Sequence, residues 1–429
     1  MTSRTQRTRT VGLFGASMVL NGVMSLVTIP IITGVAGADH WASMATGQAI
    51  GASFAVMVIF GWGLTGPVTV ASTPSAGRPA MYLDSLLARI VLLVPALLIQ
   101  LAVTVAIVPH QKLVAYVAGV AFTLAGASAN WFFVGEGRAG RFLALDTVPR
   151  VGGTLLGVVL LVVTGDLLLF AAAQLAGSIV ALVASALVIL RGRGLDYRAA
   201  ARRSRIVATL LEQRHGIVAT GLMAAFTPAV LAIVAVAAPA ALPAFVLADR
   251  LAKFGGMAVS PLLQMFQGWV PAASGDERVR RTRIAGTVTA AIAVSAGVAY
   301  TLLLPTAADL LAHGQISYPP AVAIAFGIIA TLYVGSSFVS TVALMAGRVR
   351  LVALAAVVGV PLTLLVLVAA EATGLGELAA WVVAIGNLGM VGWQLLAVRA
   401  SFATLTPALT PNNPEPLVTG QEAPKAAVP

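Results

Sequence analysis

Three charged residues, Asp249, Arg250 and Lys253, interrupt the apolar run LPAFVLADRLAKFGGMAVSPLLQMFQGWVPAAS. An Asp, Lys or Arg at the centre of a membrane helix costs about 2.5–3.5 kcal/mol on insertion, so facing lipid the three would cost on the order of 7–10 kcal/mol. They lie about ten residues into the run, roughly 15 Å deep at 1.5 Å per residue, which is mid-bilayer. Asp249 and Lys253 are spaced i, i+4 and can neutralise each other. Arg250 is then left as net positive charge. The pattern reads as an anion-binding wall facing a wet cavity. The blander reading is an ion pair that only fixes helix packing. A stripe of Arg250, Lys253/Phe254, Met257, Pro261 and Gln264 continues down one face. Gly255, Gly256 and Pro261 make this helix easy to bend.

Other polar groups inside apolar runs are few. Asp146 and Arg150 form a second i, i+4 pair, acid first, which is the better orientation. It reads first as a structural pair and second as a cavity contact. Arg89 lies about eight residues into its run, where snorkelling to the interface and ligand binding explain it equally well. Asn21 and Gln48 are uncharged groups deep in the first two runs, able to bond a neighbouring helix or to face the cavity. The candidate substrate-binding set is Arg250, Lys253, Asp249, Gln48, Asn21, Gln264, Arg150 and Arg89. His40, His110, His215 and His313 fall at run ends without metal-ligand spacing, so neither metal nor cofactor is expected. The chain has no cysteine, which excludes thiol catalysis and disulfide frameworks. It has no G-x-x-x-x-G-K-[ST] and no H-E-x-x-H, the marks of a P-loop ATPase and of a zinc peptidase. The reading is a transporter rather than an enzyme.

These groups need a frame of membrane helices, and the composition supplies one. Of 429 residues, 59% are hydrophobic and only 10% charged, and mean hydropathy is +0.97. A soluble domain carries about 25% charge, and barrel strands alternate apolar and polar residues. The expected fold is an all-α integral membrane protein. Twelve stretches reach the length that a core of about 30 Å requires: 11–35, 44–72, 82–108, 113–134, 142–164, 167–190, 215–237, 241–271, 284–305, 319–346, 351–370 and 378–398. Arg4, Arg7 and Arg9 before the first run give it a signal-like start, but 11–35 exceeds a 7–15-residue signal core and is taken as the first span.

The basic residues set the orientation. One set of loops and termini holds 21 of the 26 Lys and Arg residues, while the opposite loops hold Lys112 alone. That places both termini in the cytoplasm and the chain in the inner membrane. The net charge of +11 is thus mostly a topology signal rather than a sign of nucleic-acid binding. Trp41, Trp131, Trp269, Trp381, Tyr82, Tyr116, Tyr300 and Tyr318 fall at expected interfaces. Segment 191–214 is basic, with Ile206, Val207, Leu210 and Leu211 at helical spacing. It reads as a surface helix on the inner leaflet. It divides the chain into a short tail (1–10), an N-lobe (11–190), the linker (191–214), a C-lobe (215–399) and a disordered tail (400–429). A faint repeat at an offset of 199 residues, Asn21-Gly22-Val23-Met24 against Thr220-Gly221-Leu222-Met223, supports two six-helix lobes with pseudo-twofold symmetry, a common transporter plan.

ANWFFVGEGRA (129–139), closing the fourth span, resembles the W-F-F-Q-G-x-E motif of polysaccharide (O-antigen type) flippases. These belong to the multidrug/oligosaccharidyl-lipid/polysaccharide exporter superfamily. FVLADRLAKF (245–254), followed by Gln264, Pro271 and Ser274, resembles that family's A-E-R-[IL] helix and trailing P-x-x-S. The resemblance covers roughly 11–280. Trp131, Phe132, Phe133 and Gly135 keep the fourth-span motif. Val134 replaces its Gln, the acid is displaced to Glu136, and Asp249 stands for Glu. The resemblance implies a V-shaped, two-lobed flippase that moves an undecaprenyl-diphosphate-linked oligosaccharide outward through a cationic cavity, and it carries over Arg250 alone as a site residue. Implied partners are that lipid-linked oligosaccharide, membrane lipids, a polysaccharide polymerase and glycosyltransferases, with no nucleic acid. One rival is a multidrug or cation extruder of the same superfamily, which would carry an unpaired acid in the first span; residues 11–35 hold none. Another is a non-transporting membrane scaffold for glycan synthesis, working through the basic linker and tail.

The orientation is directly testable on a chain without native thiols. A membrane-impermeant maleimide applied to intact cells should label Asp166→Cys and leave Ser75→Cys unlabelled. The reverse pattern would invert the assignment.

Overall fold

The computed structural model describes residues 17, 20, 22–191, 194–211, 229–236, 238–270, 275–345, 349–373 and 378–405. Among these the chain is all-α, with no strand. The N-terminal set comprises α1 (Gly22–Ala36), α2 (Ala38–Ile59), α3 (Trp62–Ser72), α4 (Arg78–Ile107), α5 (Lys112–Thr123), α6 (Asn130–Glu136), α7 (Ala139–Phe142), α8 (Val148–Thr164) and α9 (Leu167–Leu190). The linker forms α10 (Tyr197–Ala200) and α11 (203–211). After a helical stretch at 229–236, the C-terminal set comprises α12 (Leu242–Trp269), α13 (Gly275–Ala312), α14 (Pro320–Met345), α15 (Val349–Ala372) and α16 (Ala379–Leu405).

Each of the twelve apolar stretches is mostly helix over its described part. Eight helical segments among the described residues are long and apolar enough to cross a membrane by themselves. Most of the seventh stretch, Asn21 and Thr220–Met223 of the faint repeat, and the tails at 1–10 and 406–429 lie outside the described residues. Residues 400–405 continue α16 as helix rather than opening a tail.

Small residues set the closest helix contacts. A Cβ added at Gly47 would overlap the Ala115 carbonyl, and one at Gly51 the Gly119 carbonyl, so α2 and α5 touch backbone to backbone. Small residues at i, i+4 are what allow helices to approach this closely in lipid, where packing replaces the hydrophobic effect as the attractive force. Gly153 and Gly177 do the same for α8 and α9.

The two sets of helices join where the α1–α2 and α13–α14 connections meet. Thr33 Oγ1 donates to the Leu311 carbonyl at 2.9 Å. Gln315 accepts from the Ala38 amide at 2.8 Å and donates to the Thr33 carbonyl at 3.1 Å. His313 Nε2 lies 2.9 Å from the Pro30 carbonyl, as a donor. A single apolar cluster runs through this seam from Ile29, Trp41 and Phe170 to Leu247, Ala308 and Phe326. Trp41 is therefore fully buried, not an interfacial ring: the chain turns at Gly37 alone (φ 88°) and resumes helix at Ala38.

Several spans are broken. The second bends at Phe60, whose φ is 57°, before α3 begins. The fourth unwinds through a 3₁₀ turn at Leu124–Ala127. The fifth starts with a wide π turn at Leu143–Thr147. Freed carbonyls in lipid need donors, and Arg89 supplies them in the fourth span. It is fully buried. Its Nη1 donates to the carbonyls of Gly126 (3.3 Å) and Ser128 (2.7 Å), its Nε to the Ser85 carbonyl (3.1 Å) and its Nη2 to Ser85 Oγ (3.2 Å). The rings of Trp62, Tyr82 and Trp131 surround it at 5.5–5.9 Å. Arg89 thus does not snorkel and lines neither described cavity; it is a clamp sealed from solvent. The motif residues share this knot. Trp131, Phe132 and Phe133 are buried in it against Tyr82, and Gly135 lies where a Cβ would be 2.6 Å from the Pro67 carbonyl.

The linker helix docks on the same knot. Ile206 and Leu210 pack against it, and Arg205 Nη2 bonds Asp84 Oδ2 at 2.7 Å. Only Val207 and Leu211 remain turned outward, so half of the expected lipid-facing stripe is spent on protein.

Arg89→Ala leaves the Gly126 and Ser128 carbonyls without a donor, at about 1–3 kcal/mol each. Thermal unfolding in detergent should show a clear loss for Ala and a smaller one for Arg89→Lys, whose ammonium lacks the planar fork. Wild-type stability of the Ala variant would show that the clamp does not hold the break.

Candidate functional site

The N-terminal helices enclose a cavity of about 430 Å³. Its polar wall includes Gln48 from α2, Asn130 from α6, Asp146 from the π turn, Arg150 from α8, and Gln174 and Ser178 from α9, with the hydroxyls of Ser25, Thr28, Ser128 and Thr154 between them. Arg250 enters from α12, across the junction between the two sets of helices. Its guanidinium sits over the Trp41 ring, 5.5 Å from the centroid, and donates to Gln48 Oε1. Gln48 in turn donates to Gln174 Oε1 at 2.9 Å. The amide relay turns carbonyl oxygens towards the cation. Among the described residues no carboxylate lies within ion-pair distance of Arg250.

Arg150 holds the opposite part of the wall. Its Nε lies 3.3 Å from Asp146 Oδ1, its Nη1 donates to Ser178 Oγ at 3.2 Å, and its Nη2 is buried without a partner. The pair is thus structural and cavity-lining at once. With Asp146 offset by Arg150, the cavity keeps one uncompensated positive charge, that of Arg250.

The three charges of α12 do not act together. Lys253 Nζ bonds Asp249 Oδ2 at 2.7 Å, and both open on a separate cavity of about 130 Å³ with Tyr300, Tyr333 and Asn387. Successive residues on a helix are about 100° apart, so Asp249 and Arg250 cannot share a face. The expectation that Lys253 and Asp249 line one cavity with Arg250 is corrected. Gln48 and Arg150 are brought together with Arg250. Arg89 and the motif residues Trp131, Phe132, Phe133 and Gly135 are not; they form the knot behind the wall. Asn21 and the side chain of Gln264 lie outside the described residues.

Lining residues that escaped the sequence reading include Asn130, Gln174 and Ser178. Gln174 was findable by the logic applied to Gln48, an amide in the middle of an apolar run. Asn130 reaches the cavity because the helix restarts there, its amide bonding Ser128 Oγ at 3.1 Å. Among the described residues no cluster of His, Asp or Glu could hold a metal ion.

No family model and no curated protein matches this chain. Two solved structures do. One is "Inward-facing conformation of a multidrug resistance MATE family transporter of the MOP superfamily", at TM-score 0.58 and 16% identity over 94% of this chain and 96% of that one. The other is "Crystal structure of MATE in complex with MaL6", at TM-score 0.53 and 15% identity over 93% of this chain and 97% of that one. At such identities the likeness is one of architecture: this multi-pass membrane chain has the fold of MATE transporters.

Proposed function

We propose that the chain is an exporter that moves a lipid-linked oligosaccharide across the membrane by alternating access. The observation that carries this reading is Arg250, a guanidinium inside the membrane with neutral partners only. A cation so placed is stabilised by an anionic cargo, and a diphosphate offers paired oxygens that fit its fork. Arg150 Nη2, buried and unpartnered, supplies a second donor. Gln48, Asn130, Gln174 and Ser178 are suited to sugar hydroxyls, since a polar group that leaves water must find partners. The lipid chain stays in the bilayer while the head occupies the cavity.

Transport then requires the seam at Thr33, Leu311 and Gln315 to part while the cavity closes at its other end. A ligand shifts such an equilibrium only by its differential affinity for the two states. Arg250 is positioned for that role because it belongs to α12 yet bonds α2.

The multidrug reading draws support from the fold of the two structural neighbours. It needs an acid free to receive a cationic drug. The described acids of the two cavities, Asp146 and Asp249, are each paired with a base.

Reconstituted in proteoliposomes, the chain should flip an undecaprenyl-diphosphate-linked oligosaccharide. Arg250→Ala should lower the rate at least about tenfold, matching the ~1.5–3 kcal/mol of a charge-assisted hydrogen bond, and Arg250→Lys should retain part of it. Undiminished flipping by Arg250→Ala would remove the site. Efflux of cationic dyes without flipping would install the multidrug reading instead.

A further inference from the structure

The linker uses only one side of α11 to dock. Ile206 and Leu210 join the knot, and Arg205 reaches Asp84. At about 100° per residue, the arc turned away from Ile206 and Leu210 carries Ser204, Val207, Ala208 and Leu211. All four are exposed, and none is charged. Arg203 and Arg205 bound this arc on its two sides. A helix lying on a protein in water shows charged and polar residues outward. Here valine, alanine and leucine lie outward between arginines, which is the pattern of a helix seated in a membrane interface.

The neighbours of α11 put that arc beside lipid. The knot that Ile206 and Leu210 join includes Ile189 and Leu190, the end of α9. Just before them, Leu187 and Val188 are exposed on the outer surface of that span. Asp84, the partner of Arg205, lies six residues after the start of α4 at Arg78, roughly 9 Å along that helix. So α11 lies alongside the ends of the spans rather than beyond them.

The charges nearby lack partners. Arg191, Arg198, Arg202 and Arg203 are exposed, and among the described residues none has an acid within ion-pair distance. Asp196 is the single acid of 191–211, and its Oδ1 accepts from the Ala199 amide at 2.9 Å. The Tyr197 ring is half exposed beside them, as interfacial rings are. Basic residues at a membrane surface attract anionic headgroups.

We propose that the linker is a docking surface for anionic phospholipid of the adjoining leaflet. Val207, Ala208 and Leu211 lie among acyl chains, and Arg198, Arg202 and Arg203 bind the headgroups. The lipid supplies the counter-charge that the protein does not. The surface lies outside both cavities and does not depend on the cargo assigned to the Arg250 cavity.

The chain has no cysteine, so a fluorophore can be placed at Val207→Cys or Leu211→Cys of the full chain in nanodiscs of phosphatidylcholine and phosphatidylglycerol. Bromine on the acyl chains quenches only at close range. At equal mole fraction, brominated phosphatidylglycerol should quench both labels more than brominated phosphatidylcholine does. The relative association should exceed about fivefold, the worth of one arginine near an anionic surface. A label at Leu98→Cys, exposed in the middle of α4, should be quenched equally by both lipids. Arg198→Gln, Arg202→Gln and Arg203→Gln together should bring the ratio at 207 and 211 close to one and leave the Leu98 label unchanged. Quenching by neither lipid at 207 and 211, the mark of water or of a covering protein, would overturn the proposal. So would equal quenching by the two lipids in wild type, or an undiminished preference in the triple variant.

Discussion

A guanidinium inside a membrane protein must be solvated by the protein or by what the protein binds. Two arginines meet that constraint here without a carboxylate, and they meet it differently. Arg89 is nearly saturated: backbone carbonyls and a serine take four of its five donors, and three aromatic faces take its charge. Arg250 has one ring and one amide oxygen. A guanidinium carries five N–H donors, so Arg250 keeps donors in hand at the edge of a cavity. The same side chain is a structural bolt in one place and a cavity-facing group with donors to spare in the other. Supply of acceptors decides which.

The acceptors around Arg89 exist because the fourth span is broken. An unbroken helix would keep the carbonyls of Gly126 and Ser128 in its own ladder. Unwinding at Leu124–Ala127 frees them, brings Asn130 to the cavity, and makes a buried cation tolerable behind the wall. Trp131, Phe132 and Phe133 complete the enclosure. Thus the cluster that resembles a flippase motif supports the cavity from behind rather than lining it. Val134 at the position of the family's Gln fits this arrangement, since it is turned outward from the knot.

Much of this frame was legible in residue order, because hydropathy over 20 residues and the distribution of arginines report membrane crossings directly. Arg250 was legible for the same reason: a charge amid leucines is conspicuous. What periodicity does not report is which of two neighbouring charges faces which cavity. Asp249, Arg250 and Lys253 looked like one group because depth can be counted along a sequence, whereas azimuth depends on the partners a helix finds. Arg89 defeated the reading more thoroughly. Its partners are backbone carbonyls exposed by a helix break about 37 residues away, and a break in an Ala- and Gly-rich run such as LAGASAN carries no proline to announce it. Trp41 was misplaced by a similar omission, since a single glycine turns the chain where a loop was expected.

The division of charges on α12 bears on how binding at one side can be felt at the other. Arg250 bonds α2, while Asp249 and Lys253, one residue before and three after, form their pair over a pocket walled by Tyr300 and Tyr333 of α13 and α14. Tyr300 also donates to the Ala248 carbonyl at 2.6 Å, and Tyr318 to the Ala244 carbonyl at 2.6 Å, fixing the same turns of α12 to the C-terminal set. The helix is therefore gripped by the C-terminal helices on one face and offers a single cationic contact to the N-terminal helices on the other. Any anion that draws Arg250 away from Gln48 acts on a polar contact between α12 and the N-terminal cavity, while the tyrosine anchors move α12 as part of its own set. Coupling of this kind needs no long chain of intermediaries. It needs a helix whose two faces answer to different partners, and a charge that prefers the cargo to the amide it leaves behind.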